Sequence, residues 1–396
     1  MRCSCGLAGA VTAVVGALAV RAAPLKRSDS SPLPDDAVAL IKQRLIESAT
    51  DTWTSGTYVE ALLELDYPEL SVFSSSSGTY PPPSSASPPY EVESIVASWA
   101  SKRPSWTKEL AYENGGAAAD PAALGVGWLV AAAFADDDTK AVYLAQARQE
   151  VNYLLNSVPR TGDGAISHRP PGESPSLWAD YVSMVPPFLA YYGVATSDRS
   201  LVAQAYTQIK LYRAHLQSSS SGSWKHVVGG GSFEDAGLWN TGNGWAAHGI
   251  VRVLATMQAS PWSESFANEK TDLADWATEI LTSAFSHLKS DSLLPNYYDA
   301  ASSSYFSDAS GSALLAAAAY RLAQVSGTSS EYLVETASTI RSAVNGKINQ
   351  STGWVSPVVN PLSFKAQSSA SPEAEAFLLL LEAAWRDYYS SIASSS

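Results

Sequence analysis

"ALGVGWLVAAAF", residues 123–134, is apolar on every side of the helix that its length and composition predict. A helix of that kind is stable only when buried all round. The segment that follows, 139–157, differs: Ala141, Leu144, Ala145, Val151, Leu154 and Leu155 give a mostly one-sided face. A two-sided helix followed by a one-sided helix reads as an inner layer packed against an outer one. Helical spacing recurs at about 35–49, 91–101, 178–193, 199–217, 243–258, 266–289, 311–325, 331–345 and 372–392, in pairs joined by Gly/Ser/Asp loops. No convincing alternation of apolar and polar residues marks a strand. With no fixed period of about 30–50 residues to mark a solenoid, the pattern predicts an all-α fold, a closed toroid of helical hairpins.

Composition bounds the rest. The chain has 396 residues and is 46% apolar but only 16% charged, which provides a large core and few surface ion pairs. Its 12 Trp and 19 Tyr supply flat faces for cores and for stacking on rings. Arg2 precedes the apolar stretch 6–20, "GLAGAVTAVVGALAV", and the small residues after it; this reads as a secretory signal peptide with a dibasic site at Lys26-Arg27. Residues 1–27 are thus expected to be removed, leaving 28–396 as a single secreted domain, a monomer. Both cysteines, Cys3 and Cys5, leave with the leader, so no disulfide is expected. Losing the leader's four basic residues and no acids moves the net charge from −13 to −17. Such a chain is a poor partner for nucleic acid or anionic membranes. "SSSSGTYPPPSSASPPY" (74–90) is low-complexity and reads as a surface loop, with O-glycosylation as one use. Asn349 carries the one N-glycosylation sequon.

Four stretches concentrate candidate chemistry. In "SLWADYVSMVPPFLAYYG" (176–193), Asp180 stands between Trp178 and Tyr181 ahead of Pro186-Pro187, at the N-terminal end of a helix that starts near Met184 or is kinked there. The plain reading is a helix cap; the other is an acid under apolar cover that opposes ionisation. "GLWNTGNGW" (237–245) gathers Trp239, Asn240, Asn243 and Trp245 around glycines that let a ligand approach backbone, or that merely start a helix with core tryptophans. "AISHRPP" (165–171) holds His168-Arg169 in a proline-extended loop, where a His is ordinarily just solvated. "AAADPAALG" (117–125) places Asp120 before Pro121, by itself an ordinary helix cap. "VVGGGSF" (227–233) reads as a cleft loop, and Asp136-Asp137-Asp138 as a solvated loop. No metal-ligand spacing, phosphate loop or dinucleotide signature is present, so no metal or cofactor is expected.

Taken in order, these stretches resemble the unsaturated rhamnogalacturonyl hydrolases of glycoside hydrolase family 105, related to family 88 among the six-hairpin glycosidases. "SDASGSALLAAAAYRL" (307–322) and "SPEAEAFLLLLEAAWRDY" (371–388) resemble the last two hairpins, so the likeness runs from about 91 to 390. The resemblance implies an (α/α)6 barrel with a central cleft and an oligosaccharide substrate. It gives the catalytic acid as Asp180, with Trp178 and Pro186 in register, and the second active-site acid as Asp120, five residues before Gly125. His168 and Arg169 take the place of a His-Lys pair, His226 that of another cleft histidine, and Trp239 and Trp245 the two aromatics of "W-x-R-G-N-G-W". Thr241 replaces the Arg of that signature, and Thr has no forked cation for a carboxylate. The implied reaction is removal of a terminal unsaturated uronic acid from lyase-generated, pectin-type oligosaccharides. Thr241 keeps open a glycosidase for saturated uronosides or neutral sugars, and a non-catalytic sugar-binding protein is the third reading.

Overall fold

A computed structural model describes residues 31–74, 82–83, 85–299, 305–327 and 330–395. The leader and residues 75–81 and 84 of the low-complexity stretch lie outside them. Twelve helices are described: α1 Asp35–Ser48, α2 Thr52–Leu65, α3 Tyr90–Lys102, α4 Gly125–Phe134, α5 Asp137–Asn156, α6 Tyr181–Ala195, α7 Arg199–Leu216, α8 Asn240–Ala259, α9 Ala267–Phe285, α10 Ala309–Ser326, α11 Glu331–Asn345 and α12 Pro372–Ser395. They alternate in burial. Nearly every residue of α2, α4, α6, α8 and α10 is buried, whereas α1 buries only Ala37, Ile41 and Leu45, and α3 only Val92 and Val96. The even-numbered helices pack neighbour to neighbour, and α12 returns to pack on α2, closing a ring. Odd-numbered helices lie outside it, α5 on α4, α7 on α6, α9 on α8 and α11 on α10. This is the expected (α/α)6 toroid, and "ALGVGWLVAAAF" is one of its inner staves.

Two elements depart from the sequence reading. Residues 52–65, "TWTSGTYVEALLEL", were not expected to be helical: Thr, Ser, Gly, Tyr and Val are weak helix formers. Burial of almost the whole of α2 overrides that weak propensity, and a helix covered on all sides shows no stripe to read. Helix α6 begins at Tyr181 and runs on through Pro186 and Pro187 rather than starting near Met184. Two prolines there remove the amide donors that would serve the carbonyls of Val182 and Ser183. The guanidinium of Arg252 on α8 donates to the Ser183 oxygen at 2.8 Å. Gly249, one turn before it, lets α8 come close: a Cβ there would stand 2.2 Å from the Val182 oxygen. The prolines are tolerated because a neighbouring helix takes over one freed carbonyl.

Strands are short and come in antiparallel pairs, β1 (Ser176–Trp178) with β2 (Val227–Gly229), β3 (Leu294–Pro295) with β4 (Ser307–Asp308), and β5 (Val358–Asn360) with β6 (Ser363–Ser368). They sit in connections that lead into inner helices. Their role is to fix the loops around the N-terminal ends of α6, α10 and α12.

Candidate active site

Inner-helix N-termini meet around a cleft of about 350 Å³. Asp51 and Trp53 come from the start of α2, Asp120 from the turn before α4, and Asp180 and Met184 from the start of α6. Trp239 precedes α8, Glu373 opens α12, and the β5–β6 hairpin contributes Pro361, Leu362 and Phe364. His168, Arg169 and Trp178 complete one wall, with Glu113 beside it. The positive ends of the aligned peptide dipoles therefore point into a space lined by acids.

Asp180 occupies the cap position of α6, yet its side chain makes no capping hydrogen bond. The plain reading of this residue fails on that observation. The residue is 9% exposed, opens on the cleft, and stands with one carboxyl oxygen, Oδ2, 3.5 Å from Nε2 of fully buried His226. Neither of those two atoms has a hydrogen-bond partner. On its other side His226 meets Asp235, Nδ1 to Oδ2 at 3.0 Å. Asp235 in turn accepts from the Tyr297 hydroxyl at 2.6 Å and from the Gly237 amide at 3.1 Å. Burial works against a charge on His226, but Asp180 and Asp235 outweigh it and raise its pKa. Burial likewise works against ionised Asp235, and the bonds from His226 and Tyr297 overcome it, holding that carboxyl down at about 2.

Asp120 lines the same cleft. Its Oδ2 accepts from the Ala117 amide at 3.2 Å, and its Oδ1 lies 3.6 Å from Nε2 of His168. It is the first residue of a short 3-10 turn, Asp120–Leu124, and not a cap. Burial, reinforced by Glu113 and Asp180, pushes its carboxyl up to about 7 against the Ala117 bond. His168 goes the other way: burial lowers it to about 4, so it is neutral under most conditions. The burial that the sequence reading looks for at Asp180 raises the carboxyl of Asp120.

The aromatic wall is continuous. Trp178 stacks on His168 with centroids 5.0 Å apart and meets Phe364 edge-on at 5.8 Å; Phe364 lies 5.1 Å from Trp239. The indole N–H of Trp178 donates to Ser176 and that of Trp239 to Asn296, which fixes both rings. Arg169 spends its fork on Glu173, at 3.0 and 3.1 Å. Glu373 is 1% exposed, and burial, with Asp180 and Asp308 nearby, keeps its carboxyl well above the usual range.

Four expected site residues lie behind the wall instead of in it, and fully buried His226 is one of them. Asn243 is saturated by backbone, accepting from Trp224 N at 2.7 Å and donating to Trp224 O and Trp239 O. Thr241 is fully buried and donates to Asp308 at 3.1 Å. Trp245 packs edge-on against Phe377, 4.7 Å between centroids. A helix turns about 100° per residue, so a six-residue motif at its start cannot keep all its side chains on one face. Only Trp239, just before α8, reaches the cleft. Conversely, Asp235, Tyr297, Phe364 and Glu373 were not anticipated. Asp235 follows His226 across the Gly-rich turn of "HVVGGGSFED", a spacing that brings a chain back on itself; Phe364 carries no local signal. Asp136 caps α5 by accepting from Thr139 N at 2.9 Å and has no place in the site.

Among the described residues, one trio of metal-ligand types comes together, Glu60, Glu64 and His248. Arg252 lies 2.7 Å from Glu60 and Arg321 2.7 Å from Glu64, so cations already serve both acids. Burial, with those two arginines, holds His248 neutral. The group is a buried charge cluster joining α2, α8 and α10. No helix among the described residues is long and apolar enough to cross a membrane.

No curated protein matches the chain. Solved structures do. A possible member of glycoside hydrolase family 105 from Salmonella enterica serovar Paratyphi A superposes with a TM-score of 0.72 at 16% identity, over 93% of this chain and 98% of that one. A family 105 glycoside hydrolase from C. acetobutylicum gives 0.66 at 11%, over 88% and 99%. The unsaturated glucuronyl hydrolase of Bacillus sp. GL1 gives 0.62 at 16%, over 89% and 94%. Identities this low establish the fold alone. The sequence model of Glycosyl Hydrolase Family 88 matches residues 105–321, more than half of the chain, and takes in Asp120, His168, Asp180, His226 and Trp239. The chain therefore belongs to glycosyl hydrolase family 88 and is a glycoside hydrolase.

Proposed function

We propose that the protein is a secreted hydrolase that removes a terminal unsaturated uronic acid from lyase-generated oligosaccharides of the pectin or rhamnogalacturonan type. The observation that carries this reading is the Asp180 carboxyl: it sits at the cleft end of α6, free of any capping bond, in the lining that Trp178 shares, and within 3.5 Å of His226. Such an acid, facing an enol-ether double bond, protonates its carbon. Water then adds to the oxocarbenium-like centre and gives up a proton, and the hemiketal falls apart to release the sugar. Asp120, holding its proton up to about pH 7, donates to a substrate hydroxyl or to the attacking water. Trp178, Phe364 and Trp239 form the shelf on which the ring lies. The leader-like residues 1–27 support secretion. The similarity to an unsaturated glucuronyl hydrolase supports the reaction class.

Thr241 favours a second reading. It stands where the resemblance puts an Arg, it is buried on Asp308, and Arg169 is tied to Glu173. A cleft short of free guanidinium groups suits saturated uronosides or neutral sugars. The two readings separate in one assay: loss of the double bond's ultraviolet absorbance with lyase-generated oligosaccharides from pectin, glucuronan and ulvan-like polymers. The first reading expects that loss, and expects Asp180→Asn to abolish it while the circular dichroism spectrum is unchanged. Undiminished turnover by Asp180→Asn refutes the role of Asp180, and turnover of saturated glycosides alone selects the second reading.

A further inference from the structure

Asp180 faces one side of the His226 imidazole, and the other side is held by two groups that never reach the cleft. We propose that His226 is the proton reservoir for Asp180, and that Asp235, tied down by Tyr297, is the positioning residue that keeps the reservoir filled and aimed. The chain of contacts is Tyr297 Oη to Asp235 Oδ2 at 2.6 Å, Asp235 Oδ2 to His226 Nδ1 at 3.0 Å, and His226 Nε2 to Asp180 Oδ2 at 3.5 Å. Because Asp235 accepts at Nδ1, the ring presents Nε2 to Asp180 in either charge state in which Nδ1 is protonated. Backbone pairing holds the frame: His226 N donates to Gly237 O, Val227 N to Asp235 O, and Ala179 N to His226 O. Gly237 is needed at the turn, since a Cβ there would lie 2.6 Å from the Tyr297 ring.

The direction of each group's titration agrees with this geometry. Asp235 stays ionised and His226 is biased towards imidazolium. Neutral His168, reached through the Trp178 ring, adds no competing cation, and Asp120 and Glu373 face Asp180 rather than His226. The proton balance closes over one turnover. The proton passes from Nε2 to Asp180 Oδ2 and from Asp180 to the substrate carbon, leaving Asp180 as carboxylate beside a neutral ring. The water that adds to the cationic centre gives up one proton, which returns through Asp180 to Nε2. This cycle rests on the reaction proposed above; the placement and charge of His226 do not.

The experiment has two arms. Histidine-selective 15N NMR of the full chain follows the ring nitrogens across pH 4–9, with the His226 signal assigned by its absence in His226→Gln. The expected result is a His226 midpoint that falls by about one pH unit or more in Asp235→Asn, and by less in Tyr297→Phe. Initial rates on lyase-generated pectin oligosaccharides form the second arm. Asp235→Asn is expected to move the alkaline limb of kcat towards lower pH and to cut kcat at pH 7 by about ten- to a hundredfold, leaving KM within about twofold. If Asp235→Asn does not fold, Tyr297→Phe carries both readouts. A His226 midpoint unmoved by these substitutions overturns the proposal. So does a lower kcat with an unshifted limb, which is the mark of a merely structural loop. Absence of turnover on every unsaturated oligosaccharide defeats the proposed reaction, and the NMR arm still decides the role of Asp235.

Discussion

Replacing Arg252 with Met tests how the proline-bearing helix that starts just after Asp180 is held. Arg252 is 4% exposed; it donates to Ser183 O at 2.8 Å and stands 2.7 Å from Glu60 Oε1. Met keeps the apolar stem and removes both contacts. A buried carbonyl deprived of its donor costs about 1–3 kcal/mol. Removing one partner of a buried ion pair costs about 3–5 kcal/mol when the other partner stays charged. Glu60 moderates that second cost. Burial, only partly offset by Arg252, pushes its carboxyl up to about 8, so the orphaned acid is neutral at pH 6. The expected loss is therefore about 2–3 kcal/mol at pH 6, where the carbonyl dominates, rising to about 4–5 kcal/mol at pH 9. At about 1–2 °C per kcal/mol for a chain of this size, the melting temperature falls by about 3–5 °C at pH 6 and further at pH 9. Thermal unfolding followed by circular dichroism at both pH values measures this. A variant that melts within about 1 °C of the parent at both pH values shows that the Ser183 carbonyl needs no donor, and the account of α6 is then wrong.

Glu150 gives a separate pH signature. It is fully buried with Oε1 unpartnered, and burial pushes it up to about 8 against the Leu110 amide bond. The native state thus holds this proton more tightly than the unfolded chain, whose glutamate titrates near 4.5. Its contribution to stability is full below about pH 4.5 and drains away by about 1.4 kcal/mol per pH unit up to about pH 8. Glu150→Gln should melt progressively higher relative to the parent between pH 5 and 8; a difference that does not change with pH sinks the assignment. Phe364→Ala should raise KM by about three- to tenfold, the worth of one stacked ring, with kcat nearly unchanged. An unaffected KM removes the β5–β6 hairpin from the binding wall.

The sequence displays the hairpin logic wherever one layer differs from the other, as in the contrast between 123–134 and 139–157. It hides α2 because a helix buried on all sides by poor helix formers has neither stripe nor propensity. It leaves α6 open between a start near Met184 and a kink there because the partner that rescues its prolines, Arg252, lies 69 residues from Ser183. In the site, residues next to an inner-helix start were legible: Asp120, Asp180, Trp178 and Trp239 all line the cleft. Motif neighbours within α8 were not, since helical rotation sends Thr241, Asn243 and Trp245 into the packed wall. Phe364 reaches the site by tertiary closure, which no local pattern encodes.

Ring closure constrains how such a molecule can be made. The backbone amide of Leu33 donates to Glu382, 349 positions away, and Arg386 on α12 donates to the carbonyls of Glu64 and Leu65 at the end of α2. Until α12 has left the ribosome, α2 and α10 expose the flanks it will cover, and Glu373 is missing from the cleft. A nascent chain therefore carries an open, greasy seam through most of its synthesis, and the cleft at the inner-helix N-termini comes into being only with the final docking event.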